Sequence, residues 1–146
     1  MSMKTREFLE RLRHDDIVAA IREAEKKTSG EIRVFISRQA IEAPVTAAQA
    51  HFVRLGMGKT RERNAVLLFV APRTRKFAVI GDLGVHARCG DEFWQQLAAE
   101  VTGHFKSGDF TQGIVHAVRK AGDLLARHFP CRPDDQNELS DEVEHD

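Results

Sequence analysis

The chain has 146 residues, 42% of them hydrophobic, with 22 basic and 22 acidic side chains. That length fits one domain that buries a core without disulfide or metal staples, and the balanced charge, with one Trp and no Tyr, excludes a stacking, basic nucleic-acid surface. No stretch approaches the roughly 20 apolar residues of a membrane span, the amino-terminal segment is charged and lacks the apolar centre of a secretory signal, and Cys89 and Cys131 form no CxxC pair, so a cytoplasmic protein with reduced thiols is expected.

From the amino terminus, Phe8, Leu9 and Leu12 form one helical apolar stripe, and Ile17, Ile21 and Ala24 form a second. Asp15 or Asp16 is expected to cap the second helix. Gly30 then suits the left-handed position that stops a helix. Glu31 to Ser37, reading EIRVFIS, predicts a strand. After a loop over Gln39 to Pro44, Thr46 is expected to cap a short helix ending near Gly56. Ala65 to Ala71 is seven consecutive apolar residues, the pattern of a strand buried on both faces. Strand, helix and strand in this order predict a right-handed parallel crossover.

Pro72-Arg73-Thr74-Arg75 supplies turn chemistry. Phe77 to Ile80 is a second apolar run, so an antiparallel hairpin is expected. It ends in Gly81-Asp82-Leu83-Gly84, a carboxylate between two glycines. His86 to Gly90 reads as loop. Asp91 fits an N-cap before the helical stripe Trp94, Leu97, Ala98, Val101 and Phe105, and Asp109 fits another before Phe110 to Leu125. Residues 1–133 are thus read as one domain, an α/β/α sandwich of three layers around a small mixed sheet. Residues 134–146 hold seven acidic residues and no Lys or Arg, leaving 22 basic against 15 acidic residues before them. This stretch is expected to be a flexible acidic tail.

Familiar catalytic motifs fail. Gly58-Lys59-Thr60 ends like a phosphate-binding loop, but Val53 stands where that motif needs Gly, and a helix precedes it rather than a strand. His86 and Cys89 are two metal-ligand types at short spacing, and two ligands do not make a site. Chain direction is more informative. Parallel strands starting at Glu31 and near Asn64, with a hairpin partner returning to Asp82, put Glu31 and Asp82 at one sheet edge. Asp91 and Asp109 are expected to join them through short loops. Converging carboxylates repel unless they take up protons or a cation, and calcium or magnesium favours such oxygen-rich places.

Three segments carry a family resemblance. SGEIRV, Ser29 to Val34, resembles the first-strand motif of the TPM domain family (the TPM phosphatase domain). Arg63 to Gly84 resembles its central hairpin, and FKSGDFTQGI, Phe105 to Ile114, resembles its glycine-aspartate-aromatic motif. Glu138-Leu139 is similar to the tail of small soluble members. The likeness spans roughly residues 15–130. Members include a thylakoid-lumen acid phosphatase of plants, photosystem II repair proteins and an auxiliary subunit of animal acetylcholine receptors. The resemblance implies an α/β/α sandwich, a divalent ion in some members and phosphatase activity in some. It points to Asp82 and Asp109 as metal-binding or catalytic candidates, with Glu31 and Asp91 in support. Leu83 stands where many members carry an aromatic residue, and no export signal or membrane anchor of the kind many relatives carry is expected.

Two expectations follow. One is a divalent-metal-dependent phosphatase acting on phosphate monoesters, in which the ion polarises the phosphoryl group or its attacking water and Arg63 or Arg88 clamps phosphate oxygens. The other is a non-catalytic metal-binding or protein-interaction module that assists assembly of a partner. The partners implied are a phosphate-containing small molecule or a protein, with no nucleic acid and no membrane span.

Overall fold

The structure is a computed structural model that describes residues 5–90, 92–131 and 143–145. Among the described residues, four strands form one mixed sheet. They are β1 (Glu31–Ile36), β2 (Ala65–Ala71), β3 (Lys76–Gly81) and β4 (Val143–His145), in the order β3-β2-β1-β4. β1 and β2 run parallel with Glu31 opposite Ala65, and β2 and β3 run antiparallel with Val66 opposite Gly81. The crossover and the hairpin are therefore present as the sequence predicts. β4 adds a parallel strand on the outer side of β1, with Val143 opposite Val34.

Every residue of β2 is buried, which explains its lack of alternation: both faces are covered. One face meets α1 (Thr5–Arg11), α2 (His14–Glu25), α5 (Glu92–Lys106) and α6 (Phe110–His128). Ile32, Val34, Ile36, Val66, Leu68 and Val70 project into that layer. The other face meets α3 (Pro44–Arg54) and the short 3-10 turn Met57–Lys59, where Ala48, Phe52 and Met57 cover Phe35, Leu67 and Phe69. These two apolar clusters, on opposite sides of one sheet, make the three-layer sandwich. Fully burying a side chain such as Leu68 contributes about 1.5–3 kcal/mol. Among the described residues, no helix is long and apolar enough to cross a membrane.

Local expectations need correction at several places. Arg13 is the N-cap of α2, without a side-chain cap bond, and Asp15 and Asp16 lie in the first turn. There they still face the positive end of the helix dipole. Thr46 lies inside α3, which starts at Pro44. Proline's fixed φ suits that first position. Leu83–Cys89 is a helix, α4, where loop was expected. Asp109 is the N-cap of α6 by position, but its side chain makes no capping bond. Asp91 and most of the acidic tail lie outside the described residues.

Candidate functional site

The register of the strands builds a polar corner where β1 and β2 begin and β3 ends. Glu31 is 2% exposed and Asp82 is 5% exposed. The Asp82 N–H donates to the Ala65 carbonyl at 2.9 Å. Asp82 then turns the chain into α4 as its N-cap, its Oδ1 accepting from the Leu83 N–H at 2.7 Å. The residue that ends the hairpin is thus also the residue that starts a helix.

Arg63 closes over this carboxylate. Its Nε donates to Oδ2 at 2.8 Å and its Nη2 to Oδ1 at 3.0 Å, a two-pronged ion pair. Such pairs combine charge with fixed geometry. The Asp82 hydrogen bond, followed by its charge, holds the Arg63 guanidinium above its already high ordinary pKa. Arg63 itself is left-handed, with φ 53°. The Gly84 N–H donates to the Arg63 carbonyl at 2.9 Å. Only glycine fits there: a β-carbon on residue 84 would lie 2.4 Å from the Glu62 carbonyl oxygen.

Beside the pair lies a second network. The Ser29 hydroxyl donates to Glu62 Oε2 at 2.6 Å. The Asn64 amide donates to Ser29 Oγ at 3.1 Å and to Glu62 Oε2 at 3.2 Å. Asn64 is itself buried, and its N–H donates to Thr60 Oγ1 at 3.3 Å. The end of α6 is tied to the same edge, since the Phe129 carbonyl accepts from the Ser29 N–H at 2.9 Å and from the Thr28 hydroxyl.

The corner therefore brings together Glu31 and Asp82 of the four carboxylates expected there. Asp109 is not among them. With the carboxyl end of α6 anchored at Ser29, its amino end lies one helix length away, about 28 Å for 19 residues. The physical reason is α5: fifteen helical residues between the two candidate loops carry the chain across the molecule. Asp109 instead lines a shallow exposed depression with Glu100, His104 and His116. There His116 Nε2 meets Glu100 Oε2 at 2.6 Å, and this hydrogen bond holds the Glu100 carboxyl below its ordinary pKa. Arg88, a proposed phosphate clamp, donates to the His128 carbonyl at 3.1 Å and covers the Phe129 ring.

Among the described residues, no three His, Cys, Asp or Glu side chains stand close enough to hold a metal ion. The chemistry of Asp82 agrees, because Arg63 and the Leu83 amide already engage both of its oxygens. Sequence reasoning did not find Ser29, Glu62 and Asn64. Their one visible signal is a polar Glu62-Arg63-Asn64 run directly before a wholly apolar strand.

A sandwich of this topology with a polar clasp at the strand origins defines a small α/β/α domain, and its sequence places it among known ones. The family model described as the TPM domain matches residues 3–124, so the chain belongs to the TPM domain family. It is similar to the BA42 protein of the psychrophilic bacterium Bizionia argentinensis, solved by NMR. The two are 37% identical, with a TM-score of 0.84 over 93% of this chain and 96% of that one. The N-terminal domain of a protein from P. gingivalis shares the fold, with a TM-score of 0.56 over 78% of this chain and 76% of that one, at 15% identity. No curated protein matches the chain.

Proposed function

We propose that the chain is a non-catalytic binding module of the TPM family that meets a protein partner with the corner formed by Arg63, Asp82 and Leu83. The observation that carries this reading is the saturation of Asp82. A carboxylate clasped by a guanidinium and a backbone amide has both oxygens engaged and is held in place. With both oxygens engaged, it is not placed to attack a substrate. Directly beside it, Leu83 is 67% exposed and the Arg63 side chain is 48% exposed. Together they offer a fixed cation next to an apolar contact, a mixture suited to a protein interface. Calcium or magnesium enters this reading only as a competitor that displaces Arg63 from Asp82.

The test pairs turnover with binding. Purified protein is expected to hydrolyse a generic phosphomonoester no faster than its Asp82→Asn variant, with or without chelator. A stoichiometric partner recovered by the native chain is expected to be lost with Leu83→Asp. Chelator-sensitive turnover that disappears in Asp82→Asn overturns the proposal.

That outcome would favour a second reading, hydrolysis of phosphate monoesters. Its support is the exposed side of the Arg63 guanidinium, which retains N–H donors suited to phosphoryl oxygens.

A further inference from the structure

The end of the sheet away from Asp82 holds a cavity of about 290 Å³. It opens beside Val70, Ala71 and Pro72, at the far end of β2 from the polar corner. A strand of seven residues separates the two by roughly 20 Å. The cavity is a distinct place with distinct chemistry.

Four phenylalanines from four elements make its apolar wall: Phe8, Phe77, Phe105 and Phe110. Phe105 is the hub. Its ring stands edge-on to Phe8 at 5.9 Å, to Phe110 at 5.7 Å and to Phe77 at 6.3 Å. Phe77 and Phe105 are only partly buried, so ring surface faces the cavity rather than closing it.

The rim is cationic. Arg11 ends α1, Arg75 and Lys76 follow the hairpin turn, and Lys106 ends α5. The Arg11 guanidinium lies 5.9 Å over the Phe110 ring, and Lys76 Nζ donates to the Glu42 carbonyl at 3.1 Å. Among the described lining residues, none is acidic. Four like charges around one opening repel, and an anion between them relieves the repulsion. Arg75 is held with φ 55°, which fixes the backbone from which its side chain leaves.

We infer that this cavity binds a small organic anion with a phenyl-sized apolar body. The rings take the body, while Arg11, Arg75 and Lys106 take the carboxylate or phosphate at the mouth. A volume near the lower end of ligand pockets suits a compact molecule. An apolar wall with a few convergent polar groups is the form such pockets take, and the charge sign selects the ligand.

The test is an amide NMR titration of the full chain with 3-phenylpropionate and with 3-phenylpropan-1-ol, which has a similar body without the charge. The acid is expected to give saturable shifts at Phe77, Phe105 and Phe110, and to bind at least about tenfold more tightly than the alcohol, a difference of about 1.4 kcal/mol. Combined Arg11→Gln and Lys106→Gln, which leaves Arg75 and Lys76 at the rim, is expected to shrink that difference several-fold while leaving alcohol binding unchanged, and an undiminished difference overturns the inference. Both side chains are exposed, and a thermal melt confirms that the variant folds. Added salt is expected to weaken the acid and not the alcohol. No saturable shift with the acid, equal binding of acid and alcohol, or shifts centred on Asp82 overturns the inference.

Discussion

Gly122 of α6 lies so close to Ala24 of α2 that a β-carbon on it would sit 2.6 Å from the Ala24 β-carbon. The two helices thus meet through a hydrogen on one side and a methyl on the other. Gly122→Ala must push them apart over the buried Ile17, Ile21 and Ile114. Overpacking of this kind costs about 1–3 kcal/mol, and a urea titration is expected to show it as a lower midpoint. Adding Ala24→Gly should recover part of the loss. An unchanged midpoint would mean that the helices separate without disturbing the core.

The clasp depends on another close approach. Gly84→Ala forces the added carbon against the carbonyls of Glu62 and Arg63. Backbone must move, and with it the Arg63 side chain that holds Asp82. A loss of about 1–3 kcal/mol is expected. The shift should also appear in the amide signals of Leu83 and Gly84, which distinguishes local displacement from general loosening.

Asp82→Ala removes a helix cap and leaves Arg63 without its acceptor. Loss of the cap costs about 1 kcal/mol, and the loss of the Arg63 hydrogen bonds adds to it. Thermal melts are expected to rank Asp82→Asn between the native chain and Asp82→Ala, because Asn keeps a capping oxygen and loses the charge. Equal melts for all three proteins would remove Asp82 from the account of stability.

The Glu100–His116 pair predicts a specific acid response. The hydrogen bond from His116 holds the Glu100 carboxyl below its ordinary value. The unfolded chain therefore binds this proton more readily than the folded one. The resulting stability is present above the ordinary carboxylate range and is lost as pH falls through the depressed folded value. Melts taken from neutral to acid pH should fall less steeply for Glu100→Gln than for the native chain. Identical slopes would show that the pair does not couple to folding.

Leu68→Ala tests the sheet itself. Leu68 is fully buried on the α2–α6 side of β2. Truncating it is expected to cost about 2–5 kcal/mol, the range for such core changes, with the denaturant slope preserved.

The sheet was the legible part of this chain. Seven apolar residues from Ala65 to Ala71 mark a strand covered on both sides, and the turn at Pro72 marks its partner. Helix α4 was illegible because only Val85 among its described side chains is buried, which leaves no apolar stripe to read. Asp82 was placed correctly from chain direction, since strand polarity fixes which ends share an edge. Asp109 was misplaced by the same style of reasoning, because a helix of fifteen residues advances the chain about 22 Å, and short loops cannot undo that. The Ser29–Glu62–Asn64 network joins residues more than thirty positions apart. Such a contact exists only after folding has brought β1 and β2 side by side.

The backbone at Val143–His145 occupies the outer ladder of β1. A chain shortened before these residues would present bare amide and carbonyl groups along Val34 to Ile36, which invite strand-to-strand self-association. Val143–His145 thus cover that stretch of β1 and leave at this flank an outermost strand of only three residues, a short edge for another strand to join.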